Sequence, residues 1–291
     1  MALILGLIWD GGAYLTKDLT LPALAVIMTL STISVTGSAF RSFRSLIVPA
    51  FWGILASYLF HGGILLGLNS FFIHNSDFRT GFIILASVPP AVAVIPFAFF
   101  LRGDSDFALI GTIGAYLGAL AITPLIVVAF LGSGFIDPLK VFIILIELII
   151  GPLVVSRILI RTTMVSRIEP VRGPIINWSF FLVVYTMVGL NRNIFVSKPL
   201  MLISVVIMGV LCTFVFGWII EKAGAALKID PKVLTSLVLL GTCKNYGLAA
   251  GLALLFFNAE TAVPATITSM LNILYIIYLG IKGHKENSLP A

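Results

Sequence analysis

Gly241-Thr242-Cys243-Lys244-Asn245-Tyr246-Gly247 sits in the middle of an otherwise apolar run, residues 232–257, and carries a lysine where a membrane-crossing segment can least accommodate one. A second run, 79–101, is interrupted by Ser87-Val88-Pro89-Pro90-Ala91 and then Pro96. Proline lacks the N–H that a helical ladder needs, so each proline frees a carbonyl. In lipid that carbonyl must find protein, an ion or water. A plain kink is one reading. Paired interruptions at corresponding places of two halves favour an unwound binding site at mid-membrane.

Working outward, ten apolar segments emerge: 2–16, 20–40, 46–73, 79–101, 106–132, 137–160, 174–191, 199–221, 232–257 and 262–282. A helix needs about 20 apolar residues to cross the hydrocarbon core, and most segments reach that. The first is short and carries Asp10, as a truncated or re-entrant helix would. Of 291 residues, 59% are hydrophobic and 10% charged, against roughly 25% charged in a soluble domain. That excludes a disordered chain, a coiled coil and a nucleic-acid-binding domain, and argues against a soluble enzyme. The apolar runs are continuous rather than alternating, which argues against a barrel. Cys212 and Cys243 both lie in apolar runs and support neither a disulfide framework nor a metal site. No cleavable signal peptide is read at the start.

The loop charges give an orientation. Of the 18 lysines and arginines, Lys17, Arg79, Lys140, Arg192 and Lys198 follow odd-numbered segments, Lys244 lies inside one, and the other twelve gather on the opposite side. By the positive-inside rule both termini are expected in the cytoplasm of a multi-pass inner-membrane protein. Ten segments make two halves of five, which have opposite orientation because five is odd. That is the arithmetic of an inverted repeat.

Ionisable side chains at mid-membrane are costly and point to function. Lys244 could bind an anion, carry a proton, or stand as a fixed charge. Glu147, central in segment six, is a candidate proton site or partner of Lys244, and is expected to face the cleft. His61 in segment three reads as an interface histidine or a ligand, and Asn272 in segment ten as either. Thr112 and Tyr116 are four apart and share a helix face. No histidine/acid metal constellation occurs, and no serine is paired with a base, so no enzyme activity is expected.

These residues also carry a family likeness. Ser87-Val88-Pro89-Pro90, Leu101-Arg102-Gly103-Asp104, Ile122-Thr123-Pro124, Asn245-Tyr246-Gly247-Leu248-Ala249 and Thr20-Leu21-Pro22-Ala23-Leu24 with Met28 resemble motifs of the bile acid:sodium symporter family. Auxin-efflux-type carriers, with a related fold, remain an alternative. The resemblance implies an all-α membrane protein of ten transmembrane helices in two inverted five-helix repeats, with discontinuous helices 4 and 9 crossing. A panel domain would comprise 1–42 and 137–192, and a core domain 46–132 and 199–283. It implies organic-anion substrates, bile-acid-like or carboxylate, moved by alternating access.

The departures from the family concern its ions. Positions that hold sodium in the family fall at Val94, Ile95, Thr112, Tyr116, Leu240, Ser57 and Lys244. Val, Ile and Leu offer no oxygen to a hard cation, and an ammonium at Lys244 would repel one. The expectation is therefore a symporter-like transporter of a small organic anion, coupled to protons or uncoupled, with no cofactor and with sodium use by these sites argued against. Lys244, Asn245, Asn272, Pro90, Ala91 and His61 are its candidate substrate residues. A sodium symporter with rearranged sites, or a non-transporting sensor or channel, are the alternatives. The expected partners are the substrate and the lipid bilayer, with a homodimer left open and no nucleic acid.

Overall fold

A computed structural model describes residues 1–33, 43–132, 137–162, 164–197 and 199–288. The end of the expected segment 20–40, and Arg41 and Lys198 of the orientation count, lie outside the described residues. Within them the chain is helical, with no strand. It is a membrane protein by the length and apolarity of its helices, seven of which could cross a bilayer.

In chain order, α1 is Ala2–Ile8 and α2 is Gly11–Thr32. Next come α3, Leu46–Phe72, then α4, Ser76–Ser87, and α5, Val94–Phe100. The long helices α6, Ser105–Leu131, α7, Leu139–Ile160, α8, Met164–Leu190, and α9, Pro199–Ala226, follow. The chain closes with α10, Pro231–Thr242, α11, Tyr246–Phe256, and α12, Glu260–Gly283.

Two boundaries differ from the sequence reading. The first break falls at Trp9–Asp10, not at Lys17, so α1 has only 7 residues and α2 absorbs the rest of the expected first segment. Trp9, extended at φ −133°, ψ 107°, ends one helix and Asp10 starts the next, whereas Lys17–Leu19 merely tightens to a 3-10 turn that lets α2 continue. Segments 79–101 and 232–257, read as interrupted, are helix pairs, α4/α5 and α10/α11. Segment seven begins ten residues early: α8 runs through Pro170 and Pro174.

The helix pairings fall into two sets, which α6 joins by packing on α7. α2 packs on α8 and α7, and α8 packs on α1. In the other group α3 packs on α6, α9 on α10 and α12, and α4 on α6 and α12. The α3–α6 contact depends on small residues. A Cβ on Gly53 would lie 2.1 Å from the Gly111 carbonyl oxygen, and one on Gly114 would lie 2.5 Å from the Ala50 Cβ. Close backbone approach through small residues is a common way for helices to associate in lipid. Gly53→Ala should force the two helices apart, at about 1–3 kcal/mol for overpacking. Thermal unfolding in detergent checks this: an unchanged midpoint would mean the helices do not meet as described.

The contact matters because α3 carries part of the site. Its middle, Leu55–Gly62, is a π-helical stretch, a feature often found at functional sites. It turns Ser57, Tyr58 and His61 inward together, all buried, while Leu59 and Phe60 stay exposed.

Candidate functional site

The two breaks meet. Val88 precedes a proline, which pushes it out of the helical region, and it is extended at φ −79°, ψ 154°. Cys243 is extended too, at φ −98°, ψ 102°. Extended backbone can pair, and here it does so antiparallel, as an isolated bridge between Pro90 and Lys244. The Ala91 N–H donates to the Cys243 carbonyl at 3.1 Å, and the Asn245 N–H to the Pro89 carbonyl at 2.9 Å.

Four helix ends converge on this crossing, and their unpaired backbone groups need partners. The free carbonyls find lysine. In a continuous helix the Ala86 carbonyl would accept from residue 90, which is proline and has no N–H. Lys244 Nζ donates to it instead at 3.0 Å, to the Val88 carbonyl at 2.9 Å and to Ser57 Oγ at 3.2 Å. Three acceptors match the three donors of an ammonium. The Tyr58 ring lies below Nζ at 4.8 Å, a cation–π distance. The Tyr58 hydroxyl is held by the Ala115 carbonyl at 3.1 Å. Lys244 is 0% exposed, and no carboxylate pairs with it among the described residues.

The other expected residues take distinct places. Asn245 caps α11 through its Oδ1, which accepts from the Leu248 N–H at 3.0 Å, and its Nδ2 donates to the Tyr116 hydroxyl at 3.0 Å. Asn272 donates to the Thr242 carbonyl at the end of α10, where the Tyr246 hydroxyl also donates. Pro90 is buried and Ala91 half-buried. The Thr112 hydroxyl turns back to Ala108 of its own helix at 2.7 Å. His61 is sealed off, 5.7 Å from the Phe216 ring, with neither ring nitrogen hydrogen-bonded. The side-chain donors of Lys244, Asn245 and Asn272 thus serve the crossing itself.

Glu147 requires a correction. It is exposed, on the face of α7 that also exposes Ile143 and Ile146, and it is not a partner of Lys244. Mid-segment position gives depth but not facing. The inward face of α7 is the one that Val141, Leu145, Leu148, Ile149 and Pro152 share at helical steps of three and four, and Glu147 lies opposite it. Ile149 and Leu153 face the other helix group instead.

The sequence reading missed Tyr58 and Thr123. The latter donates to the Ser87 carbonyl at 2.6 Å, satisfying a third group freed near the break. An aromatic next to Ser57 and three residues before His61 was the available signal for Tyr58.

Val94 and Leu240, both 0% exposed, sit in one apolar cluster with Ala56, Phe107 and Ala108. These side chains carry no oxygen that could replace part of a cation's hydration shell.

The space between the two helix groups is lopsided. Beside the start of α2 and the end of α11 a cavity of about 460 Å³ is open, with Lys17, Thr20, Leu21 and Leu254 on its walls. Toward the end of α2, between Met28, Thr32, Ile95, Tyr116 and Ile149, the gap shrinks to about 20 Å³. The crossing lies between them: a Cβ on Gly247 would meet Leu24 of α2 at 2.5 Å.

The chain matches no model of a known protein family and no curated protein.

Proposed function

We propose that the protein is a secondary transporter of small organic anions, of the bile acid:sodium symporter type, that works by alternating access without sodium. One observation carries the reading: two mid-chain breaks cross, pair, and enclose the Lys244 amine. In transporters built from inverted repeats, broken helices of this kind frame the substrate site. The two halves also repeat their order. A helix with a π-helical middle, Leu55–Gly62 or Leu211–Val215, precedes a broken helix, and a long helix follows. This supports two five-segment halves, with α1, α2, α7 and α8 as the panel and the rest as the core.

The lopsided space supports one-sided access. A transporter caught between cycles is open on one face and shut on the other, and the 460 Å³ and 20 Å³ gaps fit that state. An anion descending the open side would meet the N-terminus of α11, whose dipole favours negative charge. The crossing contributes a full positive charge from Lys244, held in place by protein oxygens. No ion need bind there to neutralise the freed carbonyls. We place the protein in the inner membrane, with both termini in the cytoplasm.

Uptake of a panel of carboxylates into proteoliposomes, in sodium and in choline buffer, tests this. Uptake of at least one carboxylate is expected, at the same rate in both buffers. Calorimetry of the transported anion should give equal affinities. A tenfold gain with sodium, about 1.4 kcal/mol, would establish the sodium-coupled alternative. No uptake of any anion would favour a sensor or channel.

A further inference from the structure

We propose that the arginine-rich end of α8 and the groove beside it bind an anionic phospholipid. Between α1 and α8 lies an apolar cavity of about 800 Å³, walled by Ile4, Ile8, Pro174, Asn177, Trp178 and Phe181. Trp178 is 69% exposed and Ile8 70%, so the groove opens sideways toward lipid.

The four wall residues of α8 recur at the three-, four- and seven-residue steps of one helix face. Arg167 is seven residues before Pro174 and so lies on that same face, roughly 10 Å along the axis at 1.5 Å per residue. The stretch 157–172 carries Arg157, Arg161, Arg167 and Arg172 against a single acid, Glu169. Glu169 is taken by Arg172 at 2.9 Å, and Arg157 donates to the Thr32 carbonyl. Arg161 and Arg167 are exposed and form no ion pair among the described residues.

These features fit one occupant. An acyl chain fills the groove, and the phosphate meets Arg167, whose guanidinium fork suits phosphate oxygens. Basic pockets beside transmembrane helices recognise anionic head groups in this way. Asn177, a polar side chain in an otherwise apolar wall, is placed to donate to an ester carbonyl. A neutral lipid would leave the arginines unanswered. A second copy docking by the same face would bring its own arginines against these.

The test is native mass spectrometry of the full-length protein, mixed with phosphatidylglycerol or phosphatidylcholine of identical acyl chains. Retention of phosphatidylglycerol should be at least tenfold greater. Arg167→Glu should remove that preference and leave phosphatidylcholine retention unchanged, and Arg167→Gln serves if the first variant does not fold. Glycerol phosphate without chains should not displace the lipid, since the groove holds the chain. Equal retention of the two lipids, an undiminished preference in either variant, displacement by glycerol phosphate, or a dimer formed through this face would each overturn the proposal.

Discussion

Lys244→Met is expected to abolish anion transport and to lower thermal stability. Methionine matches the length of the stem but has no donor. The Ala86 and Val88 carbonyls would then stay buried without partners. Each orphaned group costs about 1–3 kcal/mol, so the crossing loses about 2–6 kcal/mol in all. The ammonium also carries a desolvation penalty of several kcal/mol, which its removal returns. The carbonyls still decide the sign, because they are fixed by Pro89 and Pro90 in residues 86 and 88, both 0% exposed, and cannot turn to water. Arginine would not serve either: its planar fork cannot point three donors at three converging oxygens. The measurements are proteoliposome uptake and the unfolding midpoint in detergent. Wild-type uptake by Lys244→Met would end the central role given to this residue. Wild-type stability with lost uptake would instead locate that role in anion attraction rather than in closing the crossing.

Much of this was legible from residue types alone. A double proline and a mid-run lysine are local signals, and each implies an unmet need: free carbonyls on one side, a charge on the other. Matching the two needs puts Lys244 at the break before any coordinates exist.

Facing was harder to read. Glu147 was placed on the wrong face, since residues 144–150 are apolar at every position but 147 and carry no period from which facing could be read. Asn272 looked like a cleft residue, but it answers the Thr242 carbonyl, which exists only because α10 ends there. Tyr58 was missed because tyrosine in an apolar run is ordinary. Its role comes from meeting Lys244, 186 positions away in the sequence, and no local pattern encodes that.

Replacing both Pro89 and Pro90 with alanine should also stop transport, but with the opposite effect on stability. Proline in a helix interior costs about 3 kcal/mol relative to alanine. The double variant therefore favours continuing α4 through the break by about 3 kcal/mol for each proline removed. Opposing this are the two backbone hydrogen bonds of the bridge, Ala91 to Cys243 and Asn245 to Pro89, worth about 0.5–1.5 kcal/mol each, together with the lysine contacts. With residues 89 and 90 able to donate, the Leu85 and Ala86 carbonyls are satisfied within the helix, and Nζ loses an acceptor. The bridge then opens and Lys244 is left to find water. Helical hydrogen bonds replace the ones lost, so the unfolding midpoint should hold or rise while uptake falls at least tenfold. Hydrogen exchange at Ala91 and Asn245 reports the bridge directly, and both amides should lose protection. If the double variant transports at the wild-type rate with both amides still protected, the prolines do not make the break, and the extended backbone at Val88 and Cys243 needs another cause.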